Sequence, residues 1–275
     1  MATKEYLKGA LFSKPDVRDY VATTTLTEFP REFELDMPKV KNQGAVGSCV
    51  AHSLSTIVEY FNKKEAGRYK EMSTGYIYGN RRFSAHKGKG MYTRDAIHTV
   101  TKYGDVPNRY FPYNVEVPEA IEKFEAEVTN IEDKGYYFKF AEYFKLKDEK
   151  SIKTSLMENG PVSFAMYWYD DIKIEDGIMK TKCVKTNKTG GHCMVIYGWN
   201  ETGWKVQNSW GKYWGKNGKV IIPYDVPLRE VWGIRDASGD SNLVLKKPFA
   251  TKIGEFFAKI LNKILLLFHK DAKEV

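Results

Sequence analysis

The stretch that most constrains this chain runs Asn42-Gln43-Gly44-Ala45-Val46-Gly47-Ser48-Cys49-Val50-Ala51-His52-Ser53. Small residues lead into a cysteine, and a helical pattern begins directly after it. Leu54, Ile57, Val58 and Phe61 recur at near-helical spacing, which predicts a helix from about Val50 to about Lys64. Cys49 then stands at a helix N-terminus, where free N–H groups and the positive end of the dipole favour a thiolate. Gly44 and Gly47 let backbone come close to a bound ligand. Gln43 precedes the thiol by six residues and can turn a side-chain donor back to it. The competing reading is a buried, inert cysteine, the usual state of a free thiol. The loop by itself leaves both open.

A reactive thiol needs a base, and the base needs an orienter. The chain offers His52, His86, His98, His192 and His269. His192 follows Gly190-Gly191 and opens the apolar run Cys193-Met194-Val195-Ile196, so a strand holds it while it faces a cleft. Asn208 lies sixteen residues on, in Gln207-Asn208-Ser209-Trp210-Gly211. A hairpin brings the two together, and the Asn amide then fixes the imidazole's tautomer. Trp210 and Trp214 shield that bond from water, where it is stronger. A structural histidine at a strand edge is the bland alternative.

The order of elements suggests an α+β fold in two lobes. Residues 1–28 read as a short, irregular leader. Extended chain follows from Phe29 to Lys41. Helical patterns then cover the Cys49 helix, residues 72–84, Thr93 to Tyr103, and Pro118 to Val128. After about residue 131 the pattern turns to strands at Tyr136 to Tyr143, Val162 to Tyr169, Cys193 to Trp199, Trp204 to Gln207 and Lys219 to Ile222, with one helix from Asp148 to Glu158. A helical lobe (about 42–130) thus precedes a β lobe (about 131–235), with the cleft between them. Residues 236–248 read as a linker. Residues 249–270 form a basic amphipathic pattern, with Ile253, Phe256, Phe257, Ile260, Ile264 and Phe268 on one side and Lys252, Lys259 and Lys263 elsewhere.

These residues together resemble the papain-like cysteine peptidases. The motifs are Gln43 with Gly47-Ser48-Cys49, then Gly191-His192, then Asn208-Ser209-Trp210-Gly211. The 143-residue separation of Cys49 from His192 lies in that family's window of ~130–150. The resemblance spans Phe29 to Arg235 and is similar to the bacterial or phage branch. It implies a papain-like fold whose second lobe is an antiparallel, barrel-like β structure. It implies a cysteine endopeptidase with Cys49 as nucleophile, paired as thiolate with imidazolium at His192. Asn208 orients His192, and the Gln43 side chain with the Cys49 N–H forms an oxyanion hole. Gly90 matches the glycine that pairs with extended substrate; Gly190 and Gly191 stand where side chains often shape the second specificity pocket, which is then wider and less selective, and Met91 and Tyr92 line it. No cofactor is implied, and the partner is a peptide or protein substrate. A catalytically silent peptide-binding member is disfavoured by the four intact residues; a related acyl transferase or isopeptidase would use the same ones.

Two departures stand out. The usual cysteine three residues before the nucleophile is Val46, and the usual Trp after it is Val50. With three cysteines and no apolar N-terminal run, the chain reads as cytoplasmic and monomeric. Its net charge of +8 invites a nucleic-acid reading, but no basic stretch is interleaved with aromatics. Half of that charge falls after residue 245, where the 249–270 tail can lie on an anionic membrane surface, fill a partner groove, or dock on its own domain. His52 is expected to pack inside, and His86 and His98 to have no catalytic role. Cys183 and Cys193 read as small buried thiols, with a disulfide between them as the alternative. Gly211 to Gly218 lacks the ending of a phosphate loop. Asp170-Asp171 and Glu175-Asp176 read as solvated loop.

Overall fold

The structure, a computed structural model, describes residues 8–67, 69–83, 86, 88–113, 138–180, 189–236 and 243–246. In chain order the strands are β1 (Ala10–Leu11), β2 (Val21–Thr24), β3 (Phe33–Glu34), β4 (Met91–Tyr92), β5 (Glu142–Leu146), β6 (Val162–Tyr169), β7 (Ile174–Glu175), β8 (Ile178–Met179), β9 (Thr189–Trp199), β10 (Gly203–Gln207), β11 (Lys219–Pro223), β12 (Glu230–Arg235) and β13 (Leu243–Lys246). The helices are α1 (Cys49–Ala66), α2 (Thr74–Gly79), α3 (Thr93–Tyr103) and α4 (Glu149–Glu158).

Local chemistry explains the helix ends. Ser73 caps α2 by accepting the Tyr76 N–H. Asp148 and Ser151 close a capping box on α4. Helix α1 stops at Gly67, whose φ of 64° lets its N–H turn back to the Lys63 carbonyl. At the other end of α1, Ser48 makes no side-chain cap bond.

The α+β reading stands, but the sheet is open and mixed rather than closed into a barrel. Its strands run β13-β2-β5-β12-β6-β9-β10-β11-β8-β7, with β3 added on β9. Strands β2 and β5 pair in parallel, as do β8 and β11. The centre is the β6–β9 ladder, which keeps register from Val162↔Ile196 to Tyr169↔Thr189. Strand alternation sends Ala165, Cys193 and Val195 into one core with α1, and Phe164, Met166, Met194 and Ile196 into a second. The first core joins α1, α2, α3 and the sheet, and the second fills the opposite side of the sheet.

Three regions depart from the sequence reading. The leader is not irregular throughout: β1 pairs in parallel with β4, and β2 enters the main sheet. Part of the expected linker is strand, because Leu243-Val244-Leu245-Lys246 covers the otherwise open edge of β2. Strand β12 follows a turn-rich stretch and carries Gly233 and charged ends, which blur its period. The expected helix at Pro118 to Val128, Cys183 and the 249–270 tail lie outside the described residues.

Helix α1 is buried through its first three turns and carries one acid there, Glu59. Lys41 pairs with it at 2.6 Å, and the Met72 N–H donates to it at 2.8 Å. Burial raises the Glu59 pKa, while Lys41 opposes the rise. Lys41→Met leaves this carboxylate without its cation. We expect a loss of about 3–5 kcal/mol in urea unfolding at pH 8. The loss should shrink as pH falls and Glu59 takes up a proton, and Lys41→Met/Glu59→Leu should recover most of it.

Candidate active site

Two loops close on each other to build the site. The Gln43 N–H donates to the Ser209 carbonyl at 2.8 Å, and the Gly211 N–H to the Lys41 carbonyl at 2.9 Å. Ser209 Oγ donates to Gln43 Oε1 at 2.7 Å, and Gln43 Nε2 donates to the Val46 carbonyl at 2.8 Å. The side-chain amide of Gln43 is therefore oriented, with its NH₂ turned towards the loop that leads to Cys49. Tyr113 Oη donates to the Gln43 carbonyl at 3.1 Å and lies 2.7 Å from Ser48 Oγ. Sequence reasoning missed both Ser209 and Tyr113, although Ser209 sits inside the quoted Asn208 motif.

His192 lies near the start of β9 and is fully buried. Its Nε2 is 2.8 Å from Asn208 Oδ1. The Ser209 N–H donates to the same Oδ1 at 2.7 Å, which identifies that atom as the oxygen. Nε2 therefore carries the proton, and Nδ1 is the basic atom of the neutral ring. Among the described residues Nδ1 has no hydrogen-bond partner. Trp210 stacks on the imidazole, with centroids 4.4 Å apart and an angle of 23°. Trp214 stands edge-on to Trp210 at 5.2 Å and joins the shield one layer out. Trp168 packs edge-on against both His192 and Trp210, at 5.4 and 5.0 Å. Nothing in an apolar strand singled out Trp168.

Cys49 opens α1 and is a buried, free thiol. The backbone N–H groups of Cys193, Gly9, Val50 and Cys49 itself favour its thiolate, but burial outweighs them and raises its pKa. The involvement of Cys193 places the strand of His192 beside the thiol. Burial also pushes the His192 imidazole down to about 4, the Asn208 bond acting against it and the Lys8 charge with it. The sequence predicted a thiolate–imidazolium pair. Burial opposes the charged form of both groups here, raising the Cys49 pKa and lowering that of His192.

The cover is the chain's own residues 8–13. Gly9 packs on the backbone of Gly47 and Gly90, and a Cβ at Gly191 would run into the Ala10 carbonyl. The Met91 N–H donates to the Gly9 carbonyl at 2.8 Å. Gly90 adopts φ 87°, a left-handed conformation suited to glycine. Lys8 pairs with Asp170, and the Ser13 N–H donates to Glu230. Asp19 anchors the segment: Arg94 grips it at 2.8 and 2.7 Å, and Lys145 at 2.7 Å. Met91 itself buries its side chain in the first core and offers only its backbone here. Tyr92 is half-buried at the end of β4.

The other titratable candidates fall elsewhere. His52 is buried against Tyr113, with its Nδ1 3.0 Å from the Ser48 carbonyl, and burial lowers its pKa to about 3. Cys193 is a buried thiol next to Ser163, pushed up to about 12 by burial. His86 packs edge-on to Tyr92 at 5.8 Å, outside this group.

Comparisons with known proteins agree with this geometry. The profile described as "Papain family cysteine protease" matches residues 30–230. An uncharacterized peptidase C1-like protein of Acanthamoeba polyphaga mimivirus is 28% identical over 252 residues, covering 78% of this chain and 81% of its own. Mouse pro-cathepsin H is 27% identical over 66% of this chain, and the match spans only 55% of its length. Xylellain, a cysteine protease from Xylella fastidiosa, shares the fold with a TM-score of 0.70 at 22% identity, covering 84% of this chain and 96% of its own. A proCathepsin B from Trypanosoma congolense does so at 0.66 and 20% identity, covering 84% and 87%. The matched region spans most of the chain's length and holds Gln43, Cys49, His192 and Asn208, and the chain belongs to the papain family of cysteine proteases.

Proposed function

We propose that Cys49, His192, Asn208 and Gln43 carry out peptide-bond hydrolysis by acyl transfer through the thiol. The observation that carries this reading is the fixed tautomer of His192, whose Nε2–H is held by Asn208 and whose Nδ1 is left as the base. With the cleft open, the Cys49 S–H proton passes to Nδ1, and the sulfur attacks the substrate carbonyl carbon. The carbonyl oxygen takes the electron pair and is met by the Cys49 N–H and the Gln43 amide. As the tetrahedral species collapses, the C–N bond breaks and the leaving amine takes the proton from His192. Water then attacks the thioester, giving its proton to Nδ1. The acid leaves, and the proton returns to the sulfur. Gly90, Met91 and Gly191 supply backbone to an extended substrate, and Trp210 keeps water off the His192–Asn208 bond.

The covered cleft makes this conformation latent, so residues 8–13 must lift before substrate enters. The chain is read as a cytoplasmic monomer, a setting supported by free thiols at Cys49 and Cys193 and by valine at position 46. The 249–270 tail is read as a surface or partner contact, on its sequence pattern alone.

Cys49→Ala should abolish turnover of a fluorogenic peptide library, and turnover at the parent rate would refute the assignment. Gln43→Ala should lower kcat by ~10²–10³ with little change in KM, read by steady-state kinetics. Opening of the cleft should depend on pH. Closed, His192 titrates near 4, and open it approaches its ordinary 6.5. The open form therefore binds a proton that the closed form refuses. The closed form's advantage is complete above about 6.5 and is lost as pH falls towards 4. Hydrogen exchange at Met91, corrected for intrinsic rate, should speed up across that window. Full-length protein should co-sediment with anionic liposomes more than a chain ending at Arg235, and equal partitioning would remove the membrane role.

A further inference from the structure

We infer that Gly190 and Asp170 form a subsite for a lysine or arginine side chain of the substrate, on the leaving-group side of the scissile bond. The inference rests on the peptidase reading above and adds a substrate class to it. The cleft already shows what fits there. The Lys8 stem lies along Gly190, where an added Cβ would stand 2.8 Å from Lys8 Cβ and 3.0 Å from Cδ. Only a glycine leaves that channel open to a long aliphatic stem. At the far end the Lys8 ammonium pairs with Asp170, just past the end of β6. The Lys8 side chain keeps only 20% of its exposure, so the channel encloses most of it.

The place along the cleft follows from the neighbouring residues. Gly9 sits over Gly47, and its N–H acts on the Cys49 thiol. Ala10 and Leu11 continue along β4. Lys8 is thus one residue beyond the thiol, on the side away from β4. A substrate whose acyl part lies along β4 puts its leaving amine there. In the β6–β9 ladder Gly190 stands opposite Trp168, which leads through Tyr169 to Asp170. The wall of the channel therefore belongs to the β6–β9 ladder, and the terminal carboxylate follows in the turn just after it. The Lys8 charge is near enough to lower the His192 pKa, which places the cation beside the catalytic imidazole. The sequence reading took Asp170 for a solvated loop residue. It does lie in an exposed turn, and its carboxylate is an acidic end to the cleft in a chain of net charge +8.

The test uses the full-length chain with Lys8→Ala, so that its own lysine does not compete. Two peptides differ only in lysine or norleucine at the first leaving-group residue. The kcat/KM ratio should favour lysine by about fivefold, as expected of a partly solvated ion pair. Adding Asp170→Asn should bring the ratio to about one, and Asp170→Lys should turn preference towards glutamate at that residue. A ratio near one before Asp170 is changed, or one that Asp170→Asn does not move, overturns the subsite. The same peptides titrated by fluorescence anisotropy against the Lys8→Ala/Cys49→Ala chain repeat the comparison without turnover. Absence of cleavage in the Lys8→Ala chain would sink the peptidase reading, whereas equal binding of the two peptides would sink the subsite.

Discussion

Ser209 is the residue on which the site's geometry depends. Its carbonyl accepts from the Gln43 N–H, its hydroxyl donates to the Gln43 side chain, and its own N–H donates to Asn208 Oδ1. One residue thus orients both the Gln43 side-chain amide and the acceptor that sets the imidazole tautomer. These bonds are buried, so each is worth more than in water, and an unmade one would cost more. The loop before Cys49 and the loop after β10 belong to different parts of the fold. Their mutual closure brings residues far apart in sequence into one cluster.

Burial works in two directions at this site. Trp210, Trp168 and Trp214 remove water from the His192–Asn208 bond and strengthen it. The same exclusion, extended over the cleft by residues 8–13, penalises both charged partners. Burial raises the thiol pKa and lowers the imidazole pKa, so it disfavours the charged form of each. The helix N-terminus at Cys49 does favour a thiolate through its N–H groups. Desolvation is the larger effect, and it is the effect that opening the cleft removes.

The sequence carried the parts of this arrangement that depend on spacing. The order Gln43, Cys49, His192, Asn208 was legible because chemistry ties those residue types to small-residue loops and strand starts. So were α3, whose helical period is strong and which stops at Gly104, and β6, an apolar run set off by Asn159-Gly160-Pro161. Residues 8–13 were not legible: Gly9-Ala10-Leu11 has no period, and its strand forms only because β4 offers an edge across the chain. Trp168 was hidden because, within a strand of apolar residues, sequence does not tell which side faces a cleft. The burial that opposes a Cys49 thiolate was not legible for a related reason. The helix dipole is local and visible in sequence, whereas desolvation is set by whatever tertiary structure lies on top.

The floor of the cleft explains how one channel can hold the chain's own segment and still admit other peptides. Gly9 meets Gly47 and Gly90, and the Ala10 carbonyl meets Gly191, so the central contacts are backbone on backbone. Such contacts say little about sequence, because every peptide has the same backbone. Discrimination must therefore fall to the ends of the channel, where side chains stand. At one end are Trp168 and Asp170. At the other is Glu230, nearly buried and holding the Ser13 N–H and the Trp232 Nε1–H. Burial raises the Glu230 pKa, so that carboxyl is satisfied mainly by hydrogen bonds, whereas Asp170 is exposed enough to act as a charge. The two acids thus hold the chain's own segment differently: Glu230 takes a backbone donor of Ser13, and Asp170 the Lys8 ammonium.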